Sequence, residues 1–255
     1  NIITFCFLIF VCESLLADPQ VEELEQIEQI TVTTSKRDSQ LLALDSNLSV
    51  LSQDTLEFIE HEHINQALSR VPGGWISRGN GQEHLTAIRS PVLTGAGGCG
   101  AFFIAQDGIG LRAPGFCNAN QLFDANNEQA HRIEVLRGPA STLYGSNAVH
   151  GVINIITPNP FDDNPSNLGL RVGPHDYLRG IFSATTISDN QGFMFYGNIT
   201  HDGGYKDESG FDQQKINFIH QYQSDILEIK SVFGATNLDQ NTAGFIKGFE
   251  GYKDE

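Results

Sequence analysis

His-Arg-Ile-Glu-Val-Leu-Arg-Gly-Pro-Ala-Ser-Thr-Leu-Tyr-Gly-Ser-Asn-Ala-Val-His-Gly-Val-Ile-Asn-Ile-Ile-Thr-Pro, residues His131 to Pro158, is the stretch from which the fold can be read. Ile133 and Val135, and then Val152, Ile153, Ile155 and Ile156, are β-formers bounded by turn residues, which predicts two strands. Gly138-Pro139 stops the first strand. Pro139 suits the first position of a short helix through Ala140, Ser141, Thr142 and Leu143. Gly145 closes that turn, as a glycine just past a helix commonly does.

Working outward, the residues before this stretch read as mixed α and β. Leu48 to Leu51 is a short strand and Asp54 to Ile59 a short helix. Ile64 to Val71 is a second helix, with Ile64, Leu68 and Val71 on one face. Pro72-Gly73-Gly74 ends it. Trp75 to Ser77, Thr86 to Arg89 and Phe102 to Gln106 read as strands, the last running into an Asp107-Gly108 turn.

The residues after it read differently. Beyond Pro165 the pattern becomes strict alternation, with Leu178, Gly180, Phe182 and Ala184 opposite Tyr177, Arg179, Ser183 and Thr185. Phe193, Phe195, Gly197 and Ile199 oppose Met194, Tyr196, Asn198 and Thr200; Leu227, Ile229 and Phe233 oppose Glu228 and Lys230. Segments of about ten residues alternating in this way fit a transmembrane barrel, and a β-sandwich with one wet face is the other reading. Asp189 to Gly192 reads as a tight turn and Asp202 to Gln213 as a longer, polar loop. Four or five such strands cannot close a barrel, and open edges are not tolerated in lipid. The chain is therefore expected to be a piece of a longer protein.

Bulk properties narrow the function. With 31 acidic and 15 basic residues the 255-residue chain carries a formal charge of −16, which argues against nucleic-acid binding, since that needs a basic patch. No apolar run reaches the ~18 residues of a membrane-spanning helix. Asn1 to Val11 is apolar, and Ser14-Leu15-Leu16-Ala17 before Asp18 reads as a cleavage site. Residues 1–17 are thus expected to be a signal peptide lacking its basic start, with a buried N-terminal strand as the alternative. An acidic, flexible stretch follows, and Gln29 to Ser35 within it is β-branched and extended.

The segment His131 to Pro158 closely resembles the signature of the plug domain in TonB-dependent outer-membrane receptors. The order upstream is similar as well: helix, proline-glycine stop, strand ending in Ile88-Arg89, strand ending in Asp107-Gly108. One departure is Ser90-Pro91, where the family usually has glycine after the Ile-Arg pair. The resemblance implies an α+β plug domain, a small mixed sheet with short helices, followed by the start of an antiparallel transmembrane β-barrel. It divides the chain into signal peptide (1–17), periplasmic segment with a TonB box (18–40), plug (41–160) and first barrel strands (165–255). The implied activity is uptake of a scarce nutrient, such as siderophore-bound iron, haem or cobalamin, across the bacterial outer membrane. No chemical reaction, cofactor or bound metal is implied.

Site residues follow from the same resemblance. Ile30, Thr31, Val32 and Thr33 are expected to be the TonB box, pairing by strand addition with TonB of the TonB–ExbB–ExbD complex; the first strand of the following domain is the alternative. Glu134, Arg137 and Gly138 are expected to latch the plug against charges on the inner barrel wall. Cys99 and Cys117 are expected to form a disulfide, as two cysteines in an exported chain commonly do. A loop of that size would contribute about 3 kcal/mol. The loops that it joins carry Gly95, Gly98, Pro114, Phe116 and Asn118, expected either to face a small nutrient or metal-chelate ligand or to be stapled without touching one. Outer-membrane lipid is the remaining implied partner.

Other constellations point elsewhere and are weaker. Gly95-Ala96-Gly97-Gly98-Cys99-Gly100 matches a dinucleotide fingerprint in letters, but a strand follows it where a helix is required. His61-Glu62-His63 has the look of a metal pair; with no further ligand at suitable spacing it reads as a solvated surface. A receptor that also signals to transcription, or one that imports carbohydrate, would need an extra folded domain before the TonB box. A soluble periplasmic binding module is the third alternative.

Overall fold

A computed structural model describes residues 31–32, 39–40, 47–79, 81–90, 102–111, 121–162 and 166–242. The predicted elements are present, in two architectures. The first is a mixed sheet with helices. Strands β1 (Thr31–Val32) and β2 (Ser39–Gln40) form a two-residue antiparallel ladder of their own. Strand β3 (Leu48–Ser52) leads directly into α1 (Gln53–Ile59), because Ser52 caps the helix by accepting from the Thr55 amide at 3.3 Å. Glu60 ends α1 in the left-handed region, φ 49°.

Helix α2 (Ile64–Leu68) is shorter than the periodicity predicts. Its last turn tightens to i→i+3 bonds, Arg70 to Ala67 and Val71 to Leu68, ahead of Pro72. Val71 is buried all the same, so the apolar face outlasts the α-geometry. A hairpin follows, β4 (Gly74–Arg78) with β5 (His84–Ile88). Where the expected glycine is missing, Arg89 itself takes φ 48° and its amide bonds to the Gly73 carbonyl.

Strands β6 (Phe102–Gln106) and β7 (Ile109–Gly110) are joined by Asp107-Gly108, both at positive φ as a two-residue hairpin turn requires. Next come β8 (Arg132–Arg137), α3 (Ser141–Tyr144) and β9 (Gly151–Ile156). Helix α3 starts one residue later than Pro139 suggests, because Ala140, at φ −130° and ψ 14°, is not helical and its amide bonds to the Ala148 carbonyl. Gly145, φ 85°, ends it. The sheet order is β3-β8-β9-β6-β7, with β6 and β9 parallel. Central β9 is buried along its whole length, which explains its Val and Ile, interrupted only by the buried Asn154. One face packs Leu56, Ile64, Leu68, Ile88, Phe102, Leu122 and Ile133 into the main core. The other carries a smaller cluster of Ala140, Tyr144, Ala148 and Val152.

The second architecture is a meander of β10 (Asn167–Val172), β11 (Leu178–Ser188), β12 (Gln191–Asp202), β13 (Phe211–Gln223) and β14 (Glu228–Gln240), each antiparallel to the next. Both β12 and β13 run further than the alternation predicts, which shortens the polar loop between them to residues 203–210. The two faces separate cleanly. Leu168, Leu170, Leu178, Phe195, Ile199, Ile216, Phe218 and Phe233 are exposed on one, while Arg179, Tyr196, Asn198, Thr200, Gln213, Lys215 and Ile219 are buried on the other. An apolar outer face with a polar inner face is the barrel arrangement. Among the described residues, no helix is long and apolar enough to cross a membrane.

Candidate functional site

The buried polar face of the meander meets the mixed domain along a seam, and two rungs of the strand register organise it. On the first, Asn198, Lys215 and Thr236 stand side by side across β12, β13 and β14. All three reach the segment between the Gln121–Phe123 3-10 turn and β8. Thr236 Oγ1 donates to the Asp124 carbonyl at 2.8 Å, and Asn198 Nδ2 to Asn126 Oδ1 at 3.2 Å. Lys215 Nζ donates to both Glu128 carboxylate oxygens at 2.9 Å and to the Ala125 carbonyl at 3.0 Å. The pair is sealed, with side-chain exposures of 1% for Lys215 and 5% for Glu128.

On the neighbouring rung, Arg179 pairs with Thr200 across β11 and β12. Its guanidinium is fully buried and donates to Thr200 Oγ1 at 3.0 Å, the His61 carbonyl at 2.8 Å and the Glu62 carbonyl at 3.3 Å. A planar fork with five donors suits this three-way clamp better than an ammonium would. Two outer contacts repeat the polarity. Arg171 Nη2 meets Glu60 Oε1 at 2.6 Å, and Lys230 Nζ lies 3.6 Å from Asp107 Oδ2. Asp107 in turn accepts from the Thr157 amide and hydroxyl at 3.0 and 2.6 Å, tying the β6–β7 turn to the end of β9. In each of these ion pairs the cation stands on the meander and the carboxylate on the mixed domain.

Electrostatics at the seam follow from burial. Burial alone would raise the Glu128 pKa, yet Lys215, Arg179 and the hydrogen bonds from Lys215 outweigh it and hold the group at about 2. His61 is pushed below its ordinary 6.5, first by burial and then by Arg179 and Lys215, with Glu128 and Asn127 opposing. Burial also brings His63 and His84 down to about 4. The His61-Glu62-His63 run is therefore no solvated surface, since both histidines are buried and hydrogen-bonded. The signal missed in the sequence is packing against a second sheet, which three letters cannot carry. Among the described residues, no group of three or more His, Cys, Asp or Glu is placed to hold a metal ion.

The predicted site residues are distributed as follows. Thr31 and Val32 pair with Gln40 and Ser39 respectively, while Ile30 and Thr33 lie outside the described residues. Cys99, Cys117, Gly95, Gly98, Pro114, Phe116 and Asn118 also lie outside them. Glu134 is fully buried and accepts from Arg132 Nε at 2.8 Å. Arg137 Nη1 donates to the Pro72 carbonyl at 2.5 Å, and Gly138, φ 145°, bonds through its amide to the His150 carbonyl. Sequence reasoning overlooked Lys215, Arg179 and Glu128. Their one available signal was an isolated inward cation on each of two otherwise neutral strand faces.

A mixed domain fastened by buried charges to the polar face of an antiparallel, apolar-backed meander defines the class, a barrel wall with an internal plug. Residues 40–152 match the family described as TonB-dependent Receptor Plug Domain. The chain is 27% identical over 192 residues to the vitamin B12 transporter BtuB of Vibrio vulnificus, covering 75% of this chain and 30% of that one. Among solved structures it resembles the pyoverdine outer membrane receptor FpvA of Pseudomonas aeruginosa, with a TM-score of 0.63 and 17% identity over 82% of this chain and 30% of that one. It also resembles the ferric yersiniabactin uptake receptor FyuA of Yersinia pestis, with a TM-score of 0.54 and 21% identity over 77% and 32%. The likeness throughout is to TonB-dependent outer-membrane receptors, in a plug domain over residues 40–152 and in the wall strands that follow it, and the chain spans about a third of the length of these relatives.

Proposed function

We propose that the protein to which these residues belong takes up a scarce nutrient across the outer membrane, with the plug gating the barrel. The observation that carries this reading is the seam itself. A plug held by the buried Lys215–Glu128 pair and the buried Arg179 clamp is positioned to block a lumen and must be shifted for anything to pass. Ile30 to Thr33 serve as the TonB box, and β1, paired on one edge in a two-stranded ladder, is already in strand geometry. Strand addition by TonB, driven by ExbB and ExbD, supplies the pull. Ligand bound outside and the box inside are then two coupled sites.

The ligand is a small nutrient or metal chelate, by analogy with relatives named for vitamin B12, pyoverdine and yersiniabactin. Loops carrying Gly95, Gly98, Pro114, Phe116 and Asn118 face it, held by a Cys99–Cys117 disulfide, while Glu134, Arg137 and Gly138 add a second latch. Residues 1–17, 18–40, 41–160 and 165–255 act as export signal, periplasmic segment, plug and wall. The exposed apolar face of the meander favours this reading over a soluble periplasmic module. A deletion strain grown under iron, haem or cobalamin limitation tests it: failure on one source, restored by the gene, is expected. Normal growth and uptake on all of them would overturn it.

A further inference from the structure

Two anchors hold the plug to the wall, and one side chain joins them. Arg179 grips the His61 and Glu62 carbonyls; Asn198, Lys215 and Thr236 grip residues 124–128. Between the anchors, His61 Nε2 lies 2.6 Å from Asn127 Oδ1. The Asn127 amide nitrogen donates to the Leu122 and Ala125 carbonyls at 2.8 and 3.3 Å, which fixes the amide orientation and makes Oδ1 the acceptor. The proton on His61 is therefore on Nε2, and Nδ1 is a bare lone pair.

That lone pair is buried and has no hydrogen-bond partner among the described residues. His61 lines a cleft of about 480 Å³ between α1, residues 128–130 and strands β10 to β12. The charged groups around it come from every packed element. Glu57 and Glu60 are contributed by the end of α1, Glu128 by the 122–130 segment, Arg171 by β10 and Arg179 by β11, all lining the same cleft. Lys215 on β13 and His63 lie close enough to interact with it electrostatically.

We propose that His61 is the positioning residue that couples the two anchors, so that they release together, and that a proton on Nδ1 favours the released seam. In the closed seam that proton would sit unsolvated beside Arg179 and Lys215, with Glu128 already committed to Lys215. In the open seam the imidazole meets water and takes up the proton at its ordinary pKa of 6.5. The unfolded or opened form thus binds more protons below pH 6.5, and closure weakens as pH falls through that range. Above 6.5 neither form is protonated and the seam keeps its full strength. This inference rests on the plug architecture and not on uptake, so failure of the growth test leaves it standing.

The test is hydrogen exchange on the full-length receptor in detergent, corrected for the intrinsic pH dependence of exchange, between pH 7.5 and 5. Peptides covering residues 58–65 and 122–130 are expected to lose protection in parallel below pH 6.5, with His61 itself contributing up to about tenfold per pH unit. His61→Gln keeps a donor for Asn127 but cannot titrate, and is expected to make both profiles shallower by the His61 share. His63 and His84 remain in that variant and report their own contribution. Flat wild-type profiles, loss at the two peptides at different pH, or a His61→Gln profile that superimposes on wild type would each overturn the proposal. The wild-type profile alone decides if His61→Gln fails to fold.

Discussion

At the scale of single residues the seam is governed by the cost of a buried charge without a partner. Lys215 and Glu128 satisfy each other, and the Ala125 carbonyl takes the remaining ammonium donor. Removing one partner leaves the other charged in a sealed site, which costs roughly 3–5 kcal/mol, whereas replacing both with apolar groups is often near neutral. Glu128→Gln and Lys215→Met are each expected to lower plug stability by that amount in urea unfolding of the full-length receptor. Glu128→Leu combined with Lys215→Met is expected to recover most of it. Recovery absent from the double variant would show that the pair does more than cancel its own desolvation. Acid acts in two stages. His63 and His84, held at about 4 against an ordinary 6.5, withdraw their contribution as pH falls from 6.5 to 4. Glu128, held at about 2 against 4.5, withdraws its own only as pH falls from 4.5 toward 2. Thermal unfolding at stepped pH checks this, since His63→Gln with His84→Gln is expected to make the first stage shallower, with the His61 share remaining, and to leave the second unchanged.

At the scale of elements, strand register decides which side chains can reach the plug. Asn198 stands opposite Lys215 and Lys215 opposite Thr236, so one rung presents three donors to a single loop. Gly197, next to that rung, sits where an added Cβ would run into the Lys215 carbonyl and the Phe182 ring. Gly197→Val is therefore expected to force β12 from β13 at about 1–3 kcal/mol, as overpacking usually does. Reduced folding yield of the heat-resistant barrel on a gel is the readout, and unchanged yield would count against close strand approach there. The strands themselves were legible, because alternation in Phe193 to Thr200 is a local property and survives in any register. Helix α3 and the Gly145 stop were legible for the same reason. The Lys215–Glu128 pair was not. It spans 87 positions, and with 31 acidic residues in the chain no local rule selects one carboxylate. The burial of His61 and His63 escaped notice likewise, since it depends on a wall whose first contact with them, Arg179, comes 118 positions later.

At the scale of the whole molecule, the plug is tied to the wall by cations of the wall, and pulled, on the proposed reading, through residues 30–33. Among the described residues, 31 and 32 pair only with β2 and supply none of the seam contacts, which makes that strand the place where coupling can be tested cleanly. Strand addition draws its affinity from main-chain hydrogen bonds, so a residue with no amide proton is a sharper probe than a change of side chain. Val32→Pro removes one donor and fixes φ, in a ladder only two residues long. It leaves the plug core and the Lys215 and Arg179 anchors untouched. The variant receptor is expected to reach the outer membrane, to bind its ligand at the cell surface as tightly as the wild type, and to transport almost none of it. Surface binding at low temperature and accumulation at growth temperature, measured on the same cells, separate the two steps. Accumulation at the wild-type rate would remove residues 30–33 from the partner interface and place the point of pull elsewhere. Loss of surface binding would mean that β1 supports the ligand-binding conformation itself, and the box and the plug would then have to be treated as one element.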